Sequence, residues 1–249
     1  MEPIPRPPEN EAPVEIEQKY LLQSDQDIKN LAVKVKTVYP EAEYLGGYRE
    51  ESYFYPKISK EKARQLLSLV ANMHDVSTQL SMLESVPDDT PIAIRFRKRK
   101  NREYMGFKLT LKASANPLHD VERIEIETGD VSRRYMDGFA AHGMRPETEW
   151  FSDRRIFQID DDTTVDMQDV TGYGYTAEVE SSSLEKVQSI AHSLGLQPIS
   201  SNLLDAMYSK YKEKWQKYTE GEHERHFSDE DWQDIERLSG ERVVRNQVS

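Results

Sequence analysis

Charged residues recur at every second position of a short segment near the N-terminus. Residues 14–20 read VEIEQKY, which spaces Glu15, Glu17 and Lys19 two positions apart. Successive side chains of a β-strand point to opposite faces, so in a strand these three would share one face and apolar residues the other. Two carboxylates and an ammonium in a row suit either a solvated face or a site that binds ions of both signs.

The same alternation occurs in five further segments that are predicted to be strands. For any one strand a solvated face is the simplest interpretation, but these faces carry Arg, Lys and Glu almost to the exclusion of neutral residues. A closed barrel with helices outside would turn them inward, where opposite charges partly neutralise one another. The residues on these faces, all charged except Thr110, are Arg95, Arg97 and Arg99, then Lys108, Thr110 and Lys112, then Arg123, Glu125 and Glu127, then Arg154, and finally Glu178 and Glu180.

An interior of mixed charge would suit a polyphosphate that is bound together with a divalent cation. Arg and Lys bind phosphate oxygens through charge-assisted contacts, and Arg does so with two parallel hydrogen bonds. Clustered carboxylates bind the hard cations that accompany polyphosphates. Basic groups and metal together neutralise charge on a phosphoryl group during its transfer.

The hydrophobic periodicity predicts the elements that would position these residues. Strands are predicted at 14–22, 92–99, 104–113, 121–127, 148–159, 163–168 and 173–180, with a strand pair at 42–55 around a turn or bulge at Gly46-Gly47. Helices are predicted for about 12 residues after Ser24, and at 59–72, 132–142, 184–194, 203–215 and 228–238. We expect a flexible leader at 1–13, one domain at 13–212, and a charged extension at 213–249. The segment 73–90 is predicted to be a long loop.

Composition excludes several classes of function. The 249 residues have a net charge of −12 and no cysteine. The charge disfavours a general binder of nucleic acid or of anionic membranes, and the lack of cysteine excludes disulfides and thiolate metal sites. With no long apolar run and no signal sequence, we expect a cytoplasmic monomer or homodimer without nucleic-acid or membrane partners.

The motifs, taken in order, resemble those of a known superfamily. Glu15 to Lys19 has the form ExExK, which marks the CYTH superfamily of triphosphate tunnel metalloenzymes. The other matching motifs are Arg95-Phe96-Arg97, Leu109-Thr110-Leu111-Lys112, Arg123 to Glu127, Arg154, Val165-Asp166, Glu178-Val179-Glu180 and Ser201-Asn202-Leu203-Leu204. The resemblance spans residues 13–212, and the superfamily includes thiamine triphosphatases, inorganic triphosphatases and class IV adenylate cyclases.

The resemblance implies an α+β fold, a closed eight-stranded antiparallel barrel with helices packed outside. It implies a small-molecule triphosphate substrate and Mg²⁺ or Mn²⁺ as cofactor. The phosphate-binding residues would be Lys19, Arg95, Arg97, Lys112, Arg123 and Arg154. The metal ligands would be Glu15, Glu17, Glu127, Asp166, Glu178 and Glu180. The residues in catalytic roles would be Lys19, Arg95, Arg97 and Glu125.

Three functions are compatible with these motifs. The first is a hydrolase that removes the terminal phosphate of an inorganic or organic triphosphate. The second is a class IV adenylate cyclase that forms cyclic AMP and pyrophosphate, and the absence of the His-Phe pair common near the N-terminus of that branch favours hydrolysis. The third is a triphosphate-binding module without catalysis.

Ser152 stands where relatives often have a basic residue, and Lys210 or Lys212 would supply the late phosphate-contacting lysine.

Overall fold

The computed structural model describes residues 14–56, 58–70, 80, 81, 83, 84, 88, 92–99, 102–110, 121–128, 134–218 and 226–243. The predicted leader 1–13, most of the predicted loop 73–90, and Lys112 lie outside these residues. The segments 102–110 and 121–128 and Glu15 are located by their backbone pairing.

Eight strands pair in antiparallel fashion around a closed barrel. Their order is β1-β5-β4-β3-β2-β6-β7-β8, and β1 also pairs with β8. The predicted α+β class and antiparallel pairing are confirmed. The strands are β1 (Val14–Leu22), β2 (Glu43–Phe54), β3 (Ile92–Arg99), β4 (Arg102–Thr110), β5 (Val121–Thr128), β6 (Thr148–Asp160), β7 (Thr163–Val170) and β8 (Gly174–Ser181).

The described residues include six helices, at or near the predicted positions. Serine side chains accept hydrogen bonds from backbone amides at the starts of α1, α4 and α6, as N-caps do. The helices are α1 (Asp25–Val38), α2 (Lys60–Val70), α3 (Arg134–Ala141), α4 (Leu184–Ser193), α5 (Ser201–Tyr218) and α6 (Asp229–Ser239). None of these described helices combines the length and apolar character that a membrane crossing needs.

Helices cover the apolar face of the sheet on two sides. Ile28 of α1 and Val187 of α4 pack against Val165 of β7 and Val179 of β8. On another side, α2 and α3 pack against the alternate residues of β3, including Phe96. Because neighbours along a strand face opposite ways, the charged residues between these apolar ones face the interior of the barrel.

The segment 42–55 contains one continuous strand, so the prediction of a strand pair there was wrong. Gly46-Gly47 forms a bulge, which was the other interpretation of that dipeptide: the register of β2 against β6 shifts between Tyr44 and Gly46. Gly46 has φ of +105°, a conformation that residues with a side chain rarely adopt. A bulge places one extra residue on its strand, so it reverses which residues face inward beyond it. Tyr44 thus contacts Phe157 on the outer face, whereas Tyr48 pairs with Arg154.

An aromatic cluster joins the C-terminal helices to the barrel. Tyr173 and Tyr211 are buried, and both rings contact Trp150 at the start of β6. Phe227, just before α6, contacts Tyr173. The helix α5 runs across positions 212 and 213, between which the domain was predicted to end and the extension to begin. The described part of that extension packs on α5 through Ile235.

The start of α6 contains a buried carboxylate that makes the stability of the protein depend on pH. Burial raises the pKa of Asp231, but hydrogen bonds from Lys214 and Ser228 lower it by more, so its pKa lies below its ordinary value. Lys214 Nζ lies 2.5 Å from Asp231 Oδ2, and Ser228 and Asp231 form the predicted capping box. A depressed pKa stabilises the folded state above the ordinary Asp pKa of about 3.9, and this contribution is lost as pH falls below it.

We therefore expect Asp231→Asn to lower the free energy of unfolding by about 1–3 kcal/mol at pH 7 and by much less near pH 3. Urea unfolding at the two pH values measures the difference. Glu230→Gln is the control, because it removes an exposed charge from the same helical turn. A loss that is equal at both pH values would show that the charge of Asp231 is not the stabilising feature.

Candidate active site

Lys19 lies between two of the predicted metal ligands. Its Nζ lies 3.0 Å from Glu17 Oε1 and also forms an ion pair with Glu178. Glu17 and Lys19 are alternate residues of β1, and Glu178 is the direct partner of Lys19 on β8. The alternation of the ExExK motif places Glu17 and Lys19 on one face, and the pairing of β1 with β8 adds Glu178.

Arg154 joins three carboxylates from three other strands. Its NH1 donates to both oxygens of Glu50, at 3.0 and 2.9 Å. Its NH2 donates to Asp166 and lies 3.9 Å from Glu178 Oε2. Glu50 is 3% exposed and Asp166 is 4% exposed, so this network is removed from water. Arg155, the next residue of β6, instead reaches Asp25 on the outer side, at 3.6 Å.

Two pairs of carboxylates stand directly opposite each other across neighbouring strands. Glu17 of β1 pairs with Glu180 of β8, and Glu178 of β8 pairs with Asp166 of β7. Like charges in directly opposite positions destabilise a sheet. The arrangement therefore requires cations, and Lys19 and Arg154 supply two of them.

The arginines of β3 face the same interior. Arg97 pairs with Ser52 and Arg95 with Phe54, both on the inward face of β2. Arg97 is 7% exposed, and the guanidinium of Arg95 lies 5.7 Å from the centre of the Phe54 ring. These positions agree with the predicted alternation of β3.

The remaining predicted residues are located by backbone register alone. Glu15 of β1 lies opposite Arg123 of β5, and Glu125 lies opposite Lys108 of β4. Glu127 lies opposite Gly106. Because β5 lies between β1 and β4, Glu125 and Glu127 lie on the strand next to the one that carries the ExExK motif.

The polar residues of β2 and a glutamine on β7 were not among the predicted site residues. Glu50 binds Arg154, and Ser52 Oγ donates to Glu50 Oε1 at 3.0 Å. Gln168 Nε2 donates to Asp166 Oδ2 at 3.1 Å. Arg49, Glu50 and Glu51 are consecutive charges, so alternation alone does not show which of them faces inward.

The two candidates for the late phosphate-contacting lysine both lie on α5. Neither contacts the described residues of the charged network around Lys19 and Arg154. Lys210 Nζ lies 2.9 Å from Asp234 and 3.6 Å from Asp231 on α6, and Asp234 raises the pKa of Lys210. Lys212 Nζ lies 3.4 Å from Glu147. Ser152, which stands where relatives often have a basic residue, is buried opposite Glu50.

The carboxylates of Glu17, Asp166 and Glu178 are suited to a hard divalent cation, although in this structure they face basic side chains. Within the described residues, no group of three acidic or histidine side chains is arranged to hold a metal ion. However, Asp166 Oδ1 is buried and has no hydrogen-bond partner in that part of the chain. A carboxylate oxygen of this kind is a typical ligand of Mg²⁺. The metal ligands therefore remain a prediction.

A cavity adjoins the network at Arg154. It has a volume of about 290 Å³ and is lined by Gly47, Tyr48, Arg49, Asp153, Arg154 and Arg155. Three of these six residues are arginines, so an anionic group would find positive charge there.

Comparison with known proteins identifies the fold. No protein-family model matches the chain, and no curated protein matches its sequence. The PH1012 protein from Pyrococcus horikoshii OT3 is similar in structure, with a TM-score of 0.51, 16% identity, and coverage of 74% of this chain and 91% of that one. A conserved hypothetical protein from Pyrococcus furiosus has a TM-score of 0.51 and 17% identity at the same coverage.

A third similar structure is a proposed adenylyl cyclase from Hippeastrum that is described as having a dominant triphosphatase activity. Its TM-score is 0.42, with 15% identity and coverage of 75% of this chain and 90% of that one. The similar structures are proteins of the CYTH fold, so the resemblance carried by the sequence motifs extends to the fold.

The two neighbouring arginines of β6 make a matched test of the network. Arg154→Met would leave Glu50 and Asp166 buried without their shared cation, which we expect to cost about 3–5 kcal/mol. Arg155→Met removes an exposed pair with Asp25 and should cost less than about 1 kcal/mol. Urea unfolding in the presence of EDTA measures both values. Equal losses would contradict the assignment of Arg154 to the interior.

Proposed function

We propose that this protein is a metal-dependent phosphohydrolase that cleaves the terminal phosphate of a triphosphate. The observation that carries the proposal is the buried face on which opposed carboxylate pairs alternate with Lys19, Arg154, Arg95 and Arg97. A site for anions alone would gain little from so many carboxylates. A site for cations alone would not need four basic side chains.

The basic residues would bind and orient the triphosphate. Arg95 and Arg97 are consecutive inward residues of β3, so their guanidinium groups could bind successive phosphates of one chain. Lys19 and Arg154 would bind phosphate oxygens from the β1 and β6 sides. Fixing the phosphate chain in this way lowers the entropic cost of in-line attack and neutralises charge on the transferring group.

The carboxylates would hold the cofactor and orient the attacking water. Asp166, Glu178 and Glu180 lie on adjacent strands and would hold the cation together with Glu17, and the predicted ligands Glu15 and Glu127 would complete the set. The bound Mg²⁺ or Mn²⁺ supplies Lewis-acid stabilisation of charge on the phosphate oxygens. Burial excludes bulk water, which strengthens each of these electrostatic interactions.

Product analysis tests the reaction. The protein is incubated with tripolyphosphate, thiamine triphosphate and ATP in the presence of Mg²⁺ or Mn²⁺. We expect orthophosphate from at least one substrate, and none when EDTA is present. Cyclic AMP and pyrophosphate from ATP would instead identify a cyclase. Thermal stabilisation by tripolyphosphate without turnover would identify a binding module.

A variant of β8 tests the assignment of the acidic residues. Glu178→Gln keeps the shape of the side chain but removes a charge that faces both Lys19 and Asp166, so we expect kcat to fall at least about 100-fold while some anion binding remains. The control is Glu51→Gln on the outer face of β2, whose side chain is 30% exposed. Undiminished turnover in the Glu178 variant would mean that the site is elsewhere.

A further inference from the structure

The carboxylate of Asp166 is held by one of its two oxygens. Arg154 NH2 and Gln168 Nε2 both donate to Asp166 Oδ2, and the bond from Gln168 is 3.1 Å long. The other oxygen, Oδ1, is buried and accepts no hydrogen bond from the described residues. Burial of a polar atom without a partner is unfavourable, so a ligand that binds Oδ1 would remove a cost that the folded protein carries.

Gln168 occupies a fixed place beside this carboxylate. It follows Asp166 by two residues on β7, so both side chains share the inward face. Its partners on the neighbouring strands are Arg154 of β6 and Thr176 of β8, and both Gln168 and Thr176 are buried. An ionised carboxylate only accepts hydrogen bonds, so the amide nitrogen of Gln168 must face Asp166 and its Oε1 must be turned away.

The two donors to Asp166 differ in charge, and the difference matters for a cation. The guanidinium of Arg154 is positive, so beside Asp166 it repels a second cation that approaches the same carboxylate. The amide of Gln168 is neutral, so it orients the carboxylate without that repulsion. Hydrogen bonds that orient metal-binding carboxylates have a large effect, and their loss typically weakens metal binding by about 10- to 100-fold.

We propose that Gln168 is a positioning residue that holds the carboxylate of Asp166 by Oδ2 and so presents Oδ1 to the divalent cation. This proposal rests on the proposed function, because it names a residue that supports the metal site of that reaction. Gln168 acts through Asp166 and takes no part in the chemical step. Its role is to fix the orientation of one ligand before the cation binds.

The test is the affinity for Mn²⁺ alone, measured from the electron paramagnetic resonance signal of the free ion, in full-length wild type, Gln168→Met and Gln18→Met. We expect Gln168→Met to bind Mn²⁺ at least about 10-fold more weakly than the wild type. Gln18→Met should bind Mn²⁺ as the wild type does. Gln18 is the matched control, because it is also a buried glutamine bonded two positions along its strand, but its partner is Tyr20 on the outer face, at 2.6 Å.

A second variant covers the case in which Gln168→Met does not fold, which thermal unfolding reveals. Gln168→Asn keeps an amide in the interior, but its side chain is one carbon shorter and cannot hold Oδ2 in the same position. We expect its affinity for Mn²⁺ to be at least about threefold weaker than that of the wild type.

Wild-type affinity in the folded Gln168 variants, or an equal loss in Gln18→Met, would overturn this inference and leave the proposed function standing. A wild-type protein that binds no Mn²⁺ would overturn both, because the proposed reaction depends on a metal ion.

Discussion

The interior of this protein depends on balancing charges that are buried together. Glu17, Glu50, Asp166 and Glu178 are carboxylates from four strands, and Lys19 and Arg154 connect them. None of these groups could be buried alone at an acceptable cost, because desolvation of a single charge outweighs most other contributions to stability. Each carboxylate is acceptable only because a cation lies beside it, and for Glu50, Asp166 and Glu178 the barrel brings that cation from a different strand. The same balance makes the interior responsive to ligands, since any ion that enters must change which groups are paired.

The apolar residues are consequently placed outside the barrel, where the helices cover them. Alternate residues of β7 and β8 pack under α1 and α4, while those of β3 pack under α2 and α3. This inverts the usual arrangement of a small barrel, whose interior is filled with apolar side chains. The hydrophobic contribution to stability comes from the layer between strands and helices, so the interior is available for ions. At the C-terminal end, α5 and α6 extend this layer through the aromatic residues around Tyr173 and Tyr211.

The β2 strand shows why part of the site could not be predicted. Where a strand is regular, alternation determines which residues share a face, and Lys19, Arg97, Arg154 and Glu178 lie on the faces that alternation indicates. In β2 the bulge at Gly46 inserts an extra residue, and three consecutive charges follow it. A bulge depends on backbone conformation and on pairing with β6, neither of which is visible as a hydrophobic period. Glu50 was therefore missed, although its contacts with Arg154 are among the most extensive in the network.

The sequence by itself determined the alternation of charged and apolar residues, the helix starts at Ser24 and Ser228, and the resemblance to the CYTH superfamily, because these are properties of local spacing. Only the tertiary structure decided which charges meet. Lys19 and Glu178 are 159 positions apart, and Glu50 and Arg154 are separated by 104. Their contacts depend on strand order and register around the barrel, which are set by the packing of the whole sheet. The same reasoning explains Lys210, which the family resemblance offered, with Lys212, as a phosphate contact but whose charge is bound by the carboxylates of α6.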